Sequence, residues 1–459
     1  MQRRIFFMRK EVSLADEPVL KLILKLAPPV MLALLIQSLY NIVDSWFVSR
    51  YSEHGLTALS LIFPIQLLMI ALATGSGVGT NALISRFLGA NDKQSAQNTA
   101  FNGLLLAVVN WILFMLAGLL LLRPYFEMST STPDVLVYGL SFGKVILLFS
   151  FGIFIESHCT KVLQASGNMV TPMIAQVTGA VINCVLDPIF IFGWGFIPSF
   201  GVEGAAIATV TGQITAMFIT IFAATKKGKI KFRNRKANLR IMSNIYSAGA
   251  PSMIMQSLFT IYIVGLNLIL ASFTENAVTV LGIYYKIQTF FFVPLMGLDQ
   301  AILPIISFNY GAGKPKRMWD TLKYANGIGV LLMSLGTAIF CFLPEQLLRI
   351  FTSNPDIIEI GVPAFRIIGA SFIPAAFTLI TLTFFQATSR GFRSISVTIL
   401  RQVILLVPLA WLFSHKGLFW TWLTFPCTEV ITMVISFLLL SKFKKQHITA
   451  NMPIYIQKN

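Results

Sequence analysis

Charge is scarce in this chain. Only 12% of its 459 residues are Asp, Glu, Lys or Arg, where a soluble domain carries about a quarter. Too few charges remain to cover a water-facing surface, which excludes a soluble globular protein and a disordered one. Cysteine is scarcer still: four residues, Cys159, Cys184, Cys341 and Cys427, with no C-x-x-C pair. That excludes a disulfide-stapled secreted domain and reads the four as small packing residues. The four histidines, His54, His158, His415 and His447, show no metal-ligand spacing. The chain has no G-x-S-x-G, no H-E-x-x-H and no P-loop, so it offers neither a catalytic constellation nor an ATPase domain of its own.

What is abundant is hydrocarbon. Apolar residues make up 56% of the chain and the mean hydropathy is +0.75. About twenty consecutive apolar residues span a bilayer as a helix. Twelve such runs lie near 27–48, 56–86, 99–122, 136–157, 170–194, 203–225, 245–272, 278–307, 322–343, 360–385, 395–414 and 418–441. Backbone polar groups in lipid must be satisfied within the segment, and no period-2 alternation suggests a barrel, so the runs predict helices. The first is too long and lacks the cleavage site of a signal peptide, and Pro28 and Pro29 suit the first turn of its helix.

Acid is the rarer sign, 18 residues against 35 basic, for a net charge of +17. No nucleic-acid-binding module accompanies that charge, so nucleic acid is not an expected partner. Its distribution gives another reading. Counting Lys and Arg by loop places 28 on one side and four (Arg50, Arg123, Arg349, Lys416) on the other. The larger group includes Lys161 in the 4–5 loop, eight residues between Lys226 and Arg240, and Arg390, Arg393 and Arg401 in the 10–11 loop. The positive-inside rule then puts both termini in the cytoplasm, with anionic lipid as the partner of the basic loops. Lys144, Lys286 and Arg366 remain inside spans, and Lys144 and Arg366 read as side chains snorkelling to the outer interface.

The chain also repeats itself. Shifted by 222 residues, 29–165 matches 251–387 without a gap, with 25 identities in 137 positions. Scattered Leu or Ile matches would mean little between apolar sequences. Here Gly89-Ala90 meets Gly311-Ala312, Pro133-Asp134 meets Pro355-Asp356, and Gln164-Ala165 meets Gln386-Ala387. Each half holds six spans, an even number, so both enter the membrane in the same sense. The expected architecture is an all-α integral membrane protein: twelve transmembrane helices in two six-helix bundles related by a parallel internal repeat with offset 222. Its divisions are a cytoplasmic segment 1–26, a first lobe 27–225, a basic cytoplasmic linker 226–244, a second lobe 245–441 and a cytoplasmic tail 442–459.

Several local patterns resemble the multidrug and toxic compound extrusion (MATE) transporters. They include Pro29 followed by Gln37-Ser-Leu-Tyr-Asn-Ile-Val-Asp44, Ser85-Arg-Phe-Leu-Gly-Ala-Asn-Asp92, and Leu163-Gln-Ala-Ser-Gly-Asn168 with Thr171-Pro172. Asn183-Cys-Val-Leu-Asp187-Pro188, Gly201-Val-Glu-Gly-Ala-Ala-Ile-Ala-Thr209 and Asn309-Tyr-Gly-Ala-Gly313 complete the set. The paired acids of spans one and five resemble the DinF/MepA-like bacterial branch. The resemblance covers essentially the whole chain. It implies two bundles in a V around a central cavity and efflux of amphipathic, often cationic compounds by alternating access. Inward H⁺ or Na⁺ flow would drive that efflux, with no cofactor beyond the coupling ion. It further implies a multi-pass protein of the bacterial cytoplasmic membrane, expected to act as a monomer. The competing readings are a lipid-linked oligosaccharide flippase of the related superfamily and, more remotely, a membrane enzyme. A flippase of that kind often has a cluster of cavity arginines, whereas here only Arg366 is read inside a span.

Carboxylates inside a span are costly and mark candidate sites. There are five: Asp44, Glu156, Asp187, Asp299 and Glu429. Gln37, Asn41 and Asp44 fall on one helix face, with Tyr40 beside them. Asn183 lies one turn before Asp187, and Pro188 removes a backbone donor. Carboxylate, amide oxygen and loose carbonyl are hard ligands that suit Na⁺ or a shared proton. The same residues also fit a purely structural polar contact between helices. The resemblance maps the family's first-lobe cation site onto Asp44, Asn183, Asp187 and Thr209, with Thr211 as the competing hydroxyl. Gln37, Tyr40, Asn41 and Glu156 are the substrate-binding candidates, although Glu156 also fits a solvated helix end. Asp299 and Glu429 are candidate polar sites of the second lobe.

Overall fold

The computed structural model describes residues 14–226 and 236–449. The expectations for Arg3, Arg4, Arg9 and Lys10, for linker residues 227–235 and for tail residues 450–459 lie outside them. Ten helices are long and apolar enough to cross a membrane, and two further spans are pairs of shorter helices bent by 43° and 46°. The twelve expected runs are recovered in order. The first half comprises α1 (Val19–Tyr51), α2 (Glu53–Gly89), α3 (Lys93–Ser129), the bent pair α4 (Pro133–Leu148) and α5 (Phe151–Ala165), α6 (Val170–Phe192) and α7 (Val202–Lys226). The second half begins with α8 (Leu239–Ala271), α9 (Glu275–Gly311) and α10 (Pro315–Phe342). The short α11 (Pro344–Arg349) precedes the bent pair α12 (Pro355–Gly369) and α13 (Phe372–Ala387). The eleventh span is α14 (Gly391–Ile399), a π-helical segment Leu400–Leu405 and α15 (Leu406–Ser414). The twelfth is α16 (Leu418–Trp422) followed by α17 (Thr424–Thr449).

The halves repeat in detail. Each bend carries a serine whose hydroxyl bonds back three residues: Ser150 to the Leu147 carbonyl at 2.8 Å and Ser371 to the Ile368 carbonyl at 2.6 Å. Such back-bonding competes with the helix ladder and favours a bend. The Ser85 hydroxyl donates to the Ala165 carbonyl at 3.1 Å, and Ser307, 222 residues on, donates to that of Ala387 at 3.2 Å.

The two halves meet through α1 against α9 and α2 against α8, one pairing made twice. The glycines of the seam are reciprocal. A β-carbon on Gly89 would strike the Phe308 carbonyl, and one on Gly311 would strike that of Arg86. Gly75 faces Met253 as Gly297 faces Met31. Two copies of one patch facing each other describe a two-fold contact. With six spans per half, its axis runs along the bilayer normal.

Several boundaries differ from expectation. Pro28 and Pro29 are not in a first turn: α1 begins nine residues before Pro28, at Val19. Leu22, Ile23 and Leu26 are buried in the core of the second half, and this packing outweighs the backbone donors that two interior prolines remove. The linker is shorter than 226–244, since α8 opens at Leu239 under an Asn238 cap. Lys442, Lys444 and Lys445 belong to α17 rather than to a tail. Lys161 and Arg401 are not loop residues. Lys161 is buried and Arg401 half-buried inside helical spans, so the basic asymmetry loses two of its members.

Candidate functional site

Asn183 and Asp187 stand one turn apart on α6, so helical geometry alone puts them on one face. α6 and α7 pack backbone to backbone at Gly179 and Gly212. A β-carbon on either would press against the other's carbonyl oxygen. This close approach brings Thr209 of α7 to Asn183. The Asn183 amide donates to Asp187 Oδ1 at 3.1 Å and to Thr209 Oγ1 at 3.3 Å. Thr211 turns away and donates to the Ile207 carbonyl of its own helix at 2.7 Å, so Thr209 is the hydroxyl of the group.

Asp44 approaches from α1, its carboxyl group within hydrogen-bonding reach of that of Asp187. Four residues from three helices therefore converge. Asp187 is 0% exposed and Asn183 2%, while Asp44 is half-buried. Asp44 Oδ1, Asp187 Oδ2 and Asn183 Oδ1 have no hydrogen-bond partner among the described residues. Each unmet buried acceptor costs about 1–3 kcal/mol. Three in one cluster form a donor set suited to a cation or a proton.

The same helices line a cavity of about 540 Å³. Gln37, Tyr40, Glu156, Asn183 and Thr209 face it, and the Tyr40 side chain bonds with that of Gln37. Asn41 is exposed and does not line it. Glu156 is no solvated helix end. It is 8% exposed and accepts from Thr160 at 2.7 Å and Gln176 at 3.3 Å. Gln176 and Gln213 complete the polar lining and were missed as candidates. Gln176 lies seven residues before Asn183 and Gln213 four after Thr209, so each extends a polar helix face visible in the sequence.

Lys161 was also missed. It is 5% exposed, and its ammonium donates to Gln164 at 3.0 Å and across the lobe seam to Gln300 at 2.7 Å. Asp299, beside Gln300, bonds to Thr383 of α13 and lies outside the first-half cavity. Glu429 is paired with Arg401, so the span arginines are not Arg366 alone. Lys144 and Arg366 are exposed, and Arg366 donates to the Cys341 carbonyl at 3.2 Å.

A sequence model of the family described as MatE matches residues 29–189 and again 251–412, two stretches whose starts are 222 residues apart. An FAD transporter of Shewanella oneidensis is 24% identical over 452 residues, covering 95% of this chain and 97% of its own. Multidrug export protein MepA of Staphylococcus aureus is 25% identical over 413 residues, covering 88% and 90%. The solved structure of a MOP superfamily transporter from Pyrococcus furiosus, described as having a binding pocket of reverse polarity, is 28% identical. It superposes with a TM-score of 0.88 over 95% of this chain and 98% of its own.

Proposed function

The chain belongs to the MatE family, and from that premise we propose that it exports amphipathic, often cationic drugs against an inward flow of H⁺ or Na⁺. Membership makes it a multi-pass membrane transporter rather than an enzyme. The observation that carries the rest is the convergence of Asp44, Asp187, Asn183 and Thr209, with three unmet oxygens, beside a polar-lined cavity that opens to solvent.

Two facing carboxylates out of water cannot both stay charged cheaply unless a proton or cation accompanies them. The coupling ion is thus a substrate of this cluster, and no other cofactor is required. Asn183 bridges the ion cluster and the cavity, because it both bonds to Asp187 and lines that space. Ion entry alters the hydrogen bonds that tie α1 to α6 and α6 to α7, and so reshapes the cavity. Coupling needs only that the two conformations differ in affinity for ion and for drug. The protein works as a monomer in the bacterial cytoplasmic membrane. Both termini and the linker face the cytoplasm, where the basic loops meet anionic lipid.

The Shewanella relative suggests a second class of cargo, a dinucleotide such as FAD. The test is transport by the purified chain in vesicles, with H⁺ and Na⁺ gradients imposed separately and ethidium or FAD as cargo. Ethidium movement under one ion gradient alone is the expected result. FAD movement without ethidium movement would replace the drug-export reading, and no movement of either would remove it.

A further inference from the structure

The second half encloses a cavity that the ion-coupling account leaves unused. Four of its lining positions repeat those of the first. Tyr40, Ile153, Gly179 and Ala180 line the first, and the residues 222 further on, Tyr262, Ala375, Arg401 and Gln402, line the second. The chemistry departs at the last two positions. Where Gly179-Ala180 lets α6 meet α7, Arg401-Gln402 stands in the π-helical segment Leu400–Leu405. Such segments recur at functional sites.

Arg401 reaches α17, where Nε donates to one oxygen of Glu429, Oε1, at 2.8 Å, and Nη2 makes an ion-pair contact with the same oxygen at 2.6 Å. Among the described residues the other oxygen, Oε2, has no hydrogen-bond partner, and neither do Gln402 Oε1 and Thr428 Oγ1. These residues are 7%, 5% and 0% exposed, and all three line the same space of about 430 Å³, part of it open to solvent. Aromatic rings form much of the remaining wall. Tyr284 and Phe425 meet edge to face at 5.6 Å, and the Tyr262 and Tyr285 rings lie 6.4 Å apart.

Buried acceptors without donors are rare because each is costly. Two around one cavity, Glu429 Oε2 and Gln402 Oε1, ask for a ligand that donates hydrogen bonds. A carboxylate among them favours a cationic donor, and π faces attract the same charge. We propose that the second-half cavity is a substrate subsite for a protonated primary or secondary amine. Its N–H groups donate to Glu429 Oε2 and Gln402 Oε1. The apolar part of the ligand packs against Tyr262, Tyr284 and Phe425. Arg401 is a positioning residue: it holds the carboxylate by one oxygen and turns the other to the cavity. The inference rests on the export reading for the kind of cargo, but it concerns binding and needs no gradient.

The test uses the purified full-length chain in lipid nanodiscs and fluorescence anisotropy. The probes are dansyl-pentylamine, its trimethylammonium derivative and the neutral dansyl-pentanol. Wild type should bind the amine at least tenfold tighter than the alcohol and severalfold tighter than the trimethylammonium, which has no N–H to donate. The double variant Arg401→Gln with Glu429→Gln leaves no unpaired charge and should stay folded, as monodispersity and thermal melting will show. It should lose the preference for amine over alcohol, and Gln402→Leu should weaken amine binding severalfold. A folded double variant that keeps the tenfold preference overturns the proposal. So does equal binding of amine and trimethylammonium in wild type. Failure of ethidium transport in the vesicle experiment would count against the export reading and leave these binding ratios untouched.

Discussion

The Arg401–Glu429 pair permits a quantitative test of how the second half is held together. A hydrogen bond at 2.8 Å and an ion-pair contact at 2.6 Å join side chains that are 16% and 10% exposed. Removing one partner of such a pair strands a charge away from water, which costs about 3–5 kcal/mol. Replacing both by apolar residues of similar volume is often neutral or stabilising. Arg401→Met and Glu429→Leu should therefore each lower stability by about 3–5 kcal/mol, whereas the double variant should lie within about 1 kcal/mol of wild type. The coupling energy of the cycle then exceeds about 3 kcal/mol, well above the 0.2–1 kcal/mol of an exposed pair. Equilibrium unfolding of the full chain in detergent with rising dodecyl sulfate gives the four values. Single variants that each lose less than about 1 kcal/mol, with coupling near zero, would mean that water screens the pair and the burial argument fails.

Three further expectations address other parts of the molecule. Thr209→Val should slow gradient-driven ethidium export about fivefold, the worth of one hydrogen bond of about 1 kcal/mol, whereas Thr211→Val should leave it within about twofold. Equal effects of the two variants in the vesicle assay would show that Thr209 is not singled out. Gly89→Val and Gly311→Val should each part the seam, because each new side chain meets a carbonyl of the other half. Cross-linking of Arg86→Cys to Ser389→Cys by a bifunctional thiol reagent with an arm about as long as the arginine side chain that bridges the native contact should drop in either background, and unchanged cross-linking would contradict the two-fold contact. Lys231→Cys should be labelled by a membrane-impermeant reagent only from the cytoplasmic face, and Arg123→Cys only from outside. Labelling of position 231 in intact cells would reverse the proposed orientation.

The fold was legible because its signals are long and redundant. Twelve apolar runs and an ungapped 222-residue repeat do not depend on any one residue. The polar cluster proposed to hold the ion was legible because Asp44, Asn183 and Asp187 are polar where polarity is costly, and Asn183 and Asp187 fall at helical spacing. What escaped depended on contacts between distant segments. Arg401 looked like a loop cation because it stands six residues into its predicted span, and only the fold brings Glu429, 28 residues on, to meet it. Lys161 looked like the edge of a loop for the same reason, and its partner Gln300 belongs to the other half. Pro28 and Pro29 suggested a helix start by local rule, yet the packing of Leu22, Ile23 and Leu26 carries the helix through them. Span boundaries and charge counts are local readings, and each failed where tertiary contact decided.

The central claim is that Asp44 and Asp187 carry the coupling ion, and Asp44→Asn tests it most directly. Asn has nearly the same shape as Asp and fixes the neutral state of the pair. Purified Asp44→Asn in proteoliposomes should therefore keep the thermal stability of wild type, yet fail to move ethidium under the H⁺ or Na⁺ gradient that drives the wild-type protein. Ethidium export by folded Asp44→Asn at the wild-type rate, under the same gradient, would contradict the account.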